Sequence, residues 1–240
     1  MNVAFESRMN PASVRRFLLV ACLFCLIAAS LFSLGRIYGK ERLAVDLVDL
    51  TAAAKDGDAT AQFELGCRFA KGDGLQRDYE EAFRWYQRAA EQGHPEAMVN
   101  LGLSYAKGKG VTRDHGEAAR WYRITADEGF ARAQFNLGLC YAQGMGVSKD
   151  LVEAVRWYRQ AAAQDLAQAQ NNLGSCHANG VGTGQDRVEG YAWYSLAAAN
   201  GDQLAASNMA RLSTMMSDKE LTRAQRRADE VREALRKTAR

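Results

Sequence analysis

Proline is scarce in this sequence. Only two of the 240 residues are prolines, Pro11 and Pro95, and none follows Pro95. Proline breaks helices and is common in turns, so its scarcity favours an uninterrupted series of helices. With 48% apolar and 25% charged residues, the chain resembles an ordinary folding protein rich in helix formers, not a disordered or fibrous one. We therefore predict an all-α fold.

Motifs that support chemistry are also missing. No HExxH motif and no pair of CxxC motifs accompanies the three histidines, which argues against a metal site. Ser104 and Lys107 match the SxxK motif of β-lactam-reactive enzymes, but the SDN and KTG motifs that belong with it do not occur. We expect no catalytic residue, no metal and no cofactor. The alternative is a cell-envelope enzyme, or an enzyme-associated factor, that acts on cell-wall material.

Excess positive charge is confined to the two ends of the chain. The formal net charge is +3; residues 1–40 carry five basic and one acidic side chain (+4), and residues 219–240 carry eight and four (+4). The central part therefore has a net charge of +3 − 4 − 4 = −5. A nucleic-acid groove needs basic side chains along the body of the protein, so we expect no nucleic-acid partner.

A single long stretch, residues 17–34, contains no charged residue. As a helix with a rise of about 1.5 Å per residue it would extend roughly 27 Å, close to the thickness of the hydrocarbon core of a bilayer. We predict a transmembrane helix or signal anchor that follows a basic tail, residues 1–16. The stretch is long for the core of a cleaved signal peptide, which favours an uncleaved anchor.

This anchor predicts a single-pass membrane protein. Signal-like segments usually leave their short basic end in the cytoplasm, which would place the large C-terminal part outside it, in the periplasm of a Gram-negative host. Three cysteines with no evident partner, Cys67, Cys140 and Cys176, argue mildly against an oxidising compartment.

Four tryptophans recur at a fixed interval of 36 residues, and each is followed by a tyrosine. The pairs are Trp85-Tyr86, Trp121-Tyr122, Trp157-Tyr158 and Trp193-Tyr194. Such a period is the signature of a protein built from repeated structural units. Because large aromatic residues at helical spacing among alanines usually lie in a core, we predict that the pairs pack the repeats and bind no ligand.

The blocks 58–93, 94–129, 130–165 and 166–201 align without gaps. In each block an alanine, a Leu-Gly pair and an aromatic residue lie on one face of a first helix. Paired glycines are placed to end that helix, the first of them in the left-handed conformation. An aspartate with a glutamate three residues later then predicts a capping box at the start of a second helix, which contains the Trp-Tyr pair.

The resulting pattern, AxxxLGxxYxxGxGVxxDxxEAxxWYxxAAxxG, resembles the Sel-one-like repeat (SLR), a relative of the tetratricopeptide repeat. The resemblance covers residues 58–201. It implies a right-handed α-solenoid of antiparallel helix pairs, with the first helices lining the concave wall. The chain departs from the pattern at three positions, His177, Thr183 and Asp165.

The repeat pattern continues weakly beyond both ends. Residues 35–57 are predicted to be a linker and an N-terminal capping helix, and residues 202–240 to be C-terminal capping helices, because the ends of a solenoid need cover. The last helix is expected to begin at Ser217. Its apolar seam is formed by Leu221, Ala224, Ala228, Val231 and Leu235. Capping is the favoured interpretation, and oligomerisation or partner docking through this seam is the alternative.

The resemblance also indicates where a partner would bind. Residues of the first helices that lie off the core stripe should face the groove: Phe63, Val99, Asn100, Leu103, Phe135, Asn136, Leu139, Asn171 and Asn172. An apolar track beside side-chain amides suits an extended peptide. We therefore predict a membrane-anchored scaffold that binds a protein or peptide partner. Packing between neighbouring first helices is the alternative role for these residues.

Overall fold

The computed structural model describes residues 46–238, which form eleven α-helices and no strand. The helices are α1 46–55, α2 Ala59–Lys71, α3 Tyr79–Glu91, α4 Pro95–Lys107, α5 His115–Asp127, α6 Ala131–Gln143, α7 Leu151–Ala162, α8 Ala167–Asn179, α9 Arg187–Ala199, α10 Gln203–Ser213 and α11 Asp218–Thr238. The unit that begins at Ala54 contains all four repeats.

Each predicted repeat is a packed pair of helices. The pairs are α2 with α3, α4 with α5, α6 with α7, and α8 with α9. Consecutive pairs pack through the second helix of one and the first helix of the next. The prediction of an all-α solenoid is therefore confirmed. The right-handed twist stays a prediction.

The aspartates before the second helices cap them as predicted. Asp150, for example, accepts hydrogen bonds from the backbone N–H groups of Val152 and Glu153 at 2.9 and 3.0 Å. The reciprocal half of the predicted capping box was wrong, because the glutamate does not return to the aspartate N–H. That N–H donates instead to the carbonyl of Tyr141 at 3.0 Å. Glu153 is thereby free to pair with Arg156 at 2.5 Å.

The glycine that ends each first helix has the predicted left-handed backbone. Gly72, Gly108, Gly144 and Gly180 have φ between 64° and 77°. Asp165 follows α7, the second helix of the third repeat, and stands where the other repeats have a glycine. Its backbone is left-handed as well, with φ 59°. The repeat geometry is therefore kept there at the cost of a strained aspartate.

Within each repeat, the tyrosine of the Trp-Tyr pair lies on the glycine of the Leu-Gly pair. A Cβ atom added to this glycine would come within 2.6–2.8 Å of the tyrosine ring in all four repeats. The absent side chain therefore lets the two helices approach. The contacts are Gly66 with Tyr86, Gly102 with Tyr122, Gly138 with Tyr158, and Gly174 with Tyr194.

The tryptophans of the second, third and fourth repeats pack against the preceding repeat. Trp157 of α7 belongs to one buried cluster with Ala119 and Tyr122 of α5 and Leu137 of α6. Trp85, Trp157 and Trp193 are 7%, 9% and 7% exposed. Trp121 is half-buried. The predicted packing role of the Trp-Tyr pairs is therefore confirmed.

A buried chain of amides also joins successive second helices. Gln134 of α6 is 5% exposed and donates to the carbonyl of Ala126 in the preceding repeat at 3.3 Å. Its Oε1 accepts from Gln164, which follows α7, at 2.9 Å. Gln62 and Gln170 make equivalent bonds. This feature was not predicted from the sequence, although the three glutamines share one position of the 36-residue repeat.

The C-terminal helices pack against the fourth repeat. In α10, Ala205 is fully buried in a cluster with Tyr194 and Leu212. Helix α11 packs against α9, and the seam residues Ala224, Ala228 and Val231 are 0%, 3% and 6% exposed. The seam is therefore largely used within the chain, and oligomerisation through it stays a prediction.

The predicted basic tail, residues 1–16, and the predicted membrane segment, residues 17–34, lie outside the described residues. Within residues 46–238, no helix is both long and apolar enough to cross a bilayer.

Candidate functional site

The predicted binding residues all lie on first helices, but they differ in exposure. Val99 and Asn171 occupy the same repeat position and are 2% and 7% exposed, so neither offers surface to a ligand in this structure. The remaining predicted residues are half-buried: Phe63, Asn100, Leu103, Phe135, Asn136, Leu139 and Asn172. We call these seven residues the first-helix surface.

The two phenylalanines of the first-helix surface serve partly as packing. The ring of Phe63 stacks on His94 with a centroid distance of 4.8 Å. Phe135 lies against the Tyr158 ring at 5.9 Å. Each ring is therefore an apolar wall with one side already covered, that of Phe63 by the residue that precedes α4 and that of Phe135 by its own repeat.

The amides of the first-helix surface have different partners. Asn100 donates to Cys67 Sγ at 3.9 Å, and Cys67 also accepts from the Tyr86 hydroxyl at 3.6 Å. Buried Asn171, next to the surface, accepts from Asn208 at 3.0 Å. Asn136 makes no side-chain hydrogen bond to any residue of the described range 46–238. Asn172 is in hydrogen-bonding contact with the Tyr158 side chain. Of the three predicted surface amides at this repeat position, Asn136 is therefore the one most readily available to a ligand.

A cavity of about 190 Å³ opens beside the second repeat and brings two predicted residues together. Its lining includes Asn100 and Leu103 of α4 and Tyr86 of α3. Lys107 and Lys109 also line it. The cavity therefore combines an amide, an apolar side chain and two cations, which suits a peptide that carries a carboxylate.

The two lysines were not predicted as binding residues, because the sequence places Lys107 with Ser104 in an SxxK motif. Ser104 is 8% exposed and its hydroxyl donates to the Asn100 carbonyl at 2.9 Å. This hydroxyl serves the helix backbone. Lys109 lies over the Tyr79 ring, with Nζ 4.8 Å from the centroid, a contact that only the folded repeat reveals.

Burial keeps three tyrosines near the first-helix surface neutral. Burial raises the pKa of Tyr86 and Tyr122 well above the usual range. It raises the pKa of Tyr158 to about 12, against a favourable contact with Asn172 that lowers it. No group of three His, Cys, Asp or Glu side chains within residues 46–238 is placed to hold a metal ion.

We predict that the protein loses stability at alkaline pH, because two of its thiols are buried. Burial raises the pKa of Cys140 and Cys176 from 9.0 to about 11. The free energy of unfolding therefore includes the full contribution of these protonated thiols below about pH 9. This contribution is lost as the pH rises towards 11, by up to about 1.4 kcal/mol per pH unit for each thiol. Chemical denaturation of the double variant Cys140→Ala, Cys176→Ala should show a shallower decline between pH 9 and 11 than the parent. Equal slopes would contradict the prediction.

A stack of helix pairs with no strand in its described part defines an α-solenoid repeat protein. The Sel1 repeat model matches residues 59–94, 95–130, 131–166 and 167–202. These matches cover more than half of the chain, which therefore belongs to the Sel1 repeat family. This is the family that the sequence pattern resembles.

The solved structures similar to the chain include two bacterial repeat proteins. One is a Sel1 repeat protein from Oxalobacter formigenes, with 36% identity and a TM-score of 0.60 over 68% of this chain and 48% of that one. The other is c5321, a protective antigen of uropathogenic Escherichia coli with an SLR fold, with 29% identity and a TM-score of 0.53 over 78% and 48%. The chain thus spans about half the length of each. A comparison with curated proteins gave no match.

Proposed function

We propose that this Sel1 repeat protein is a membrane-anchored scaffold that binds a protein or peptide partner on its first-helix surface. Residues 17–34 would anchor it in the membrane and leave the repeats outside the cytoplasm. The apolar, uncharged character of residues 17–34 supports the anchor.

The observation that carries the binding proposal is the environment of Asn136. Its amide has no hydrogen-bond partner among residues 46–238, and it is flanked by half-buried Phe135 and Leu139. An extended peptide exposes backbone N–H and C=O groups that need partners when water is displaced. Asn136 can both donate to and accept from such a backbone, while Phe135 and Leu139 cover the side chains of the peptide.

The cavity at Asn100 adds a second contact on the same kind of surface. Lys107 is exposed and Lys109 lies nearby in the lining. The partner expected here has an extended apolar segment with an acidic residue or a terminal carboxylate near the second repeat.

Site-directed crosslinking in the native host tests this proposal without disturbing the core. A photo-reactive amino acid at exposed position 107 should capture a partner protein, whereas one at exposed position 223, on α11, should not. Asn136→Arg, which places a large cation on the first-helix surface, should abolish capture from position 107 while the helical circular dichroism signal is kept. Capture that survives Asn136→Arg, or that occurs equally from position 223, would move the binding surface elsewhere.

The anchor is tested separately by cell fractionation. The full chain should remain with membranes after a high-salt wash, and a chain lacking residues 1–34 should not. A cysteine introduced at exposed Glu128, in a Cys67→Ala background, should react with a membrane-impermeant thiol reagent in cells whose outer membrane is permeable. Labelling only after lysis would place the repeats in the cytoplasm.

A further inference from the structure

A second and larger cavity lies between the second helices α5 and α7, on a different part of the repeats from the first-helix surface. Its volume is about 740 Å³. Residues of α5 and α7 form its sides, and two residues of α6 complete the lining. The polar and aromatic residues that matter most are Arg123, Tyr141, Asp150, Glu153, Arg156 and Trp157.

Trp157 has an unsatisfied polar atom in this cavity wall. The side chain is 9% exposed, and its indole Nε1 is buried without a hydrogen-bond partner in the described part of the chain. Glu153, one helical turn earlier, also lines the cavity but is paired with Arg156. A buried N–H without an acceptor destabilises a protein unless a ligand or a rearrangement supplies one.

In the fourth repeat, the tryptophan and glutamate at these two positions are hydrogen-bonded to each other. Trp193 Nε1 donates to Glu189 Oε1 at 3.0 Å. Glu189 also accepts two hydrogen bonds from Arg227 of α11, from Nε at 2.7 Å and from Nη2 at 3.3 Å. The glutamate thus links the indole to an arginine of the helix that covers it.

Helix α11 adds small apolar side chains to this contact. Ala228 and Val231 belong to the same buried cluster as Trp193 of α9 and Val155 of α7. An arginine followed by alanine, and then by valine one turn on, therefore fits over a Trp-Glu pair of these repeats.

The third and fourth repeats differ at one position beside the Glu-Trp pair, and this difference explains why no helix covers Glu153 and Trp157 as α11 covers Glu189 and Trp193. The position of Arg156 is taken by Ala192 in the fourth repeat, where it is fully buried. Ala192 leaves space for α11 and leaves Glu189 without a competing arginine. Arg156 is 61% exposed at its side chain, and such exposed ion pairs contribute little to stability. Its side chain can turn into solvent when a helix approaches.

We propose that the cavity between α5 and α7 binds an amphipathic helix of a partner protein that presents an arginine next to small apolar residues. The arginine pairs with Glu153, which also accepts from Trp157 Nε1, as Glu189 does from Trp193. The small residues lie over the indole. The occupant comes from another protein, because the chain's own α11 already holds Glu189 through Arg227.

The probe for this site is a fluorescent synthetic peptide of residues 217–238, added to the full-length protein. Fluorescence anisotropy should show saturable binding. Glu153→Gln should weaken it by about tenfold, since a charge-assisted pair is lost. Arg156→Ala, which copies the fourth repeat, should strengthen it several-fold, a gain that misfolding cannot produce. Glu117→Gln, at the same position of α5, is the matched control and should bind as the parent does.

A peptide carrying Arg227→Ala should bind the parent more weakly by a similar factor and should be insensitive to Glu153→Gln, which identifies the direct contact. Three results would overturn the proposal. These are no binding at millimolar peptide, binding that depends on Glu189 and not on Glu153, and dimerisation of Arg156→Ala without peptide. The second result would mean that the peptide replaces α11, and the third that a second copy fills the cavity. Because these measurements need neither the first-helix surface nor the anchor, they can fail independently of the proposed function.

Discussion

Gly146→Ala is expected to destabilise the protein by about 2 to 5 kcal/mol, the sum of a conformational cost of about 1 to 2 kcal/mol and an overpacking cost of about 1 to 3 kcal/mol. Gly146 has φ 72°, which an alanine adopts only with strain. An added Cβ would also overlap with the backbone carbonyl of His115 and lie 2.7 Å from the N atom of Gly116, both in the preceding repeat. Because these are backbone atoms at the start of α5, relief requires the third repeat to move away from the second.

Gly129→Ala separates the two costs. Gly129 has φ 94°, but a Cβ there would meet no atom within 4 Å. Only the conformational cost remains, roughly 1 to 2 kcal/mol. Urea denaturation followed by circular dichroism should therefore place Gly146→Ala well below Gly129→Ala in stability. If the two variants unfold at the same urea concentration, the second and third repeats do not approach each other at Gly146 as closely as the structure shows.

Trp157→Ala is expected to cost about 3 to 5 kcal/mol, the usual range for removing a buried aromatic side chain. The cavity it leaves lies between α5, α6 and α7, so the loss weakens the contact of the second and third repeats. In a solenoid each repeat depends on its neighbours, and unfolding of this variant should become broader or biphasic.

Trp121→Ala is the matched comparison for this prediction. Trp121 has the same repeat position but is only half-buried. Its removal should therefore cost less than that of Trp157 in the same denaturation experiment. An equal or larger cost for Trp121→Ala would mean that burial of the indole does not determine its contribution.

The sequence was sufficient to predict the repeat architecture because the determinants are local and periodic. The left-handed glycines that end the first helices and the aspartate caps of the second helices both follow from residues that recur every 36 positions. The prediction that Glu153 caps α7 was wrong, because the Asp150 N–H that it would accept from already donates to a carbonyl of the preceding helix.

The candidate site was less predictable, because exposure depends on neighbours in the next repeat. Val99 shares its repeat position with Phe135, yet it is buried. Asn171 at that position is buried because Asn208 of α10 covers it through a hydrogen bond. The burial of these two side chains therefore depends on residues outside their own repeats, such as Leu137 for Val99 and Asn208 for Asn171. The cavity at Trp157 was also beyond the sequence, since it exists only because α11 covers the fourth repeat and not the third.

The most direct test of the packing role of the Trp-Tyr pairs is iodide quenching of tryptophan fluorescence, because the four indoles of the chain all lie in the repeats. The predicted result is weak quenching of most of the emission, from Trp85, Trp157 and Trp193, with stronger quenching of a minor part from Trp121. Single Trp→Phe variants assign each part. Quenching of all four indoles at the rate of free tryptophan would contradict the structure, since the aromatic pairs would then face water.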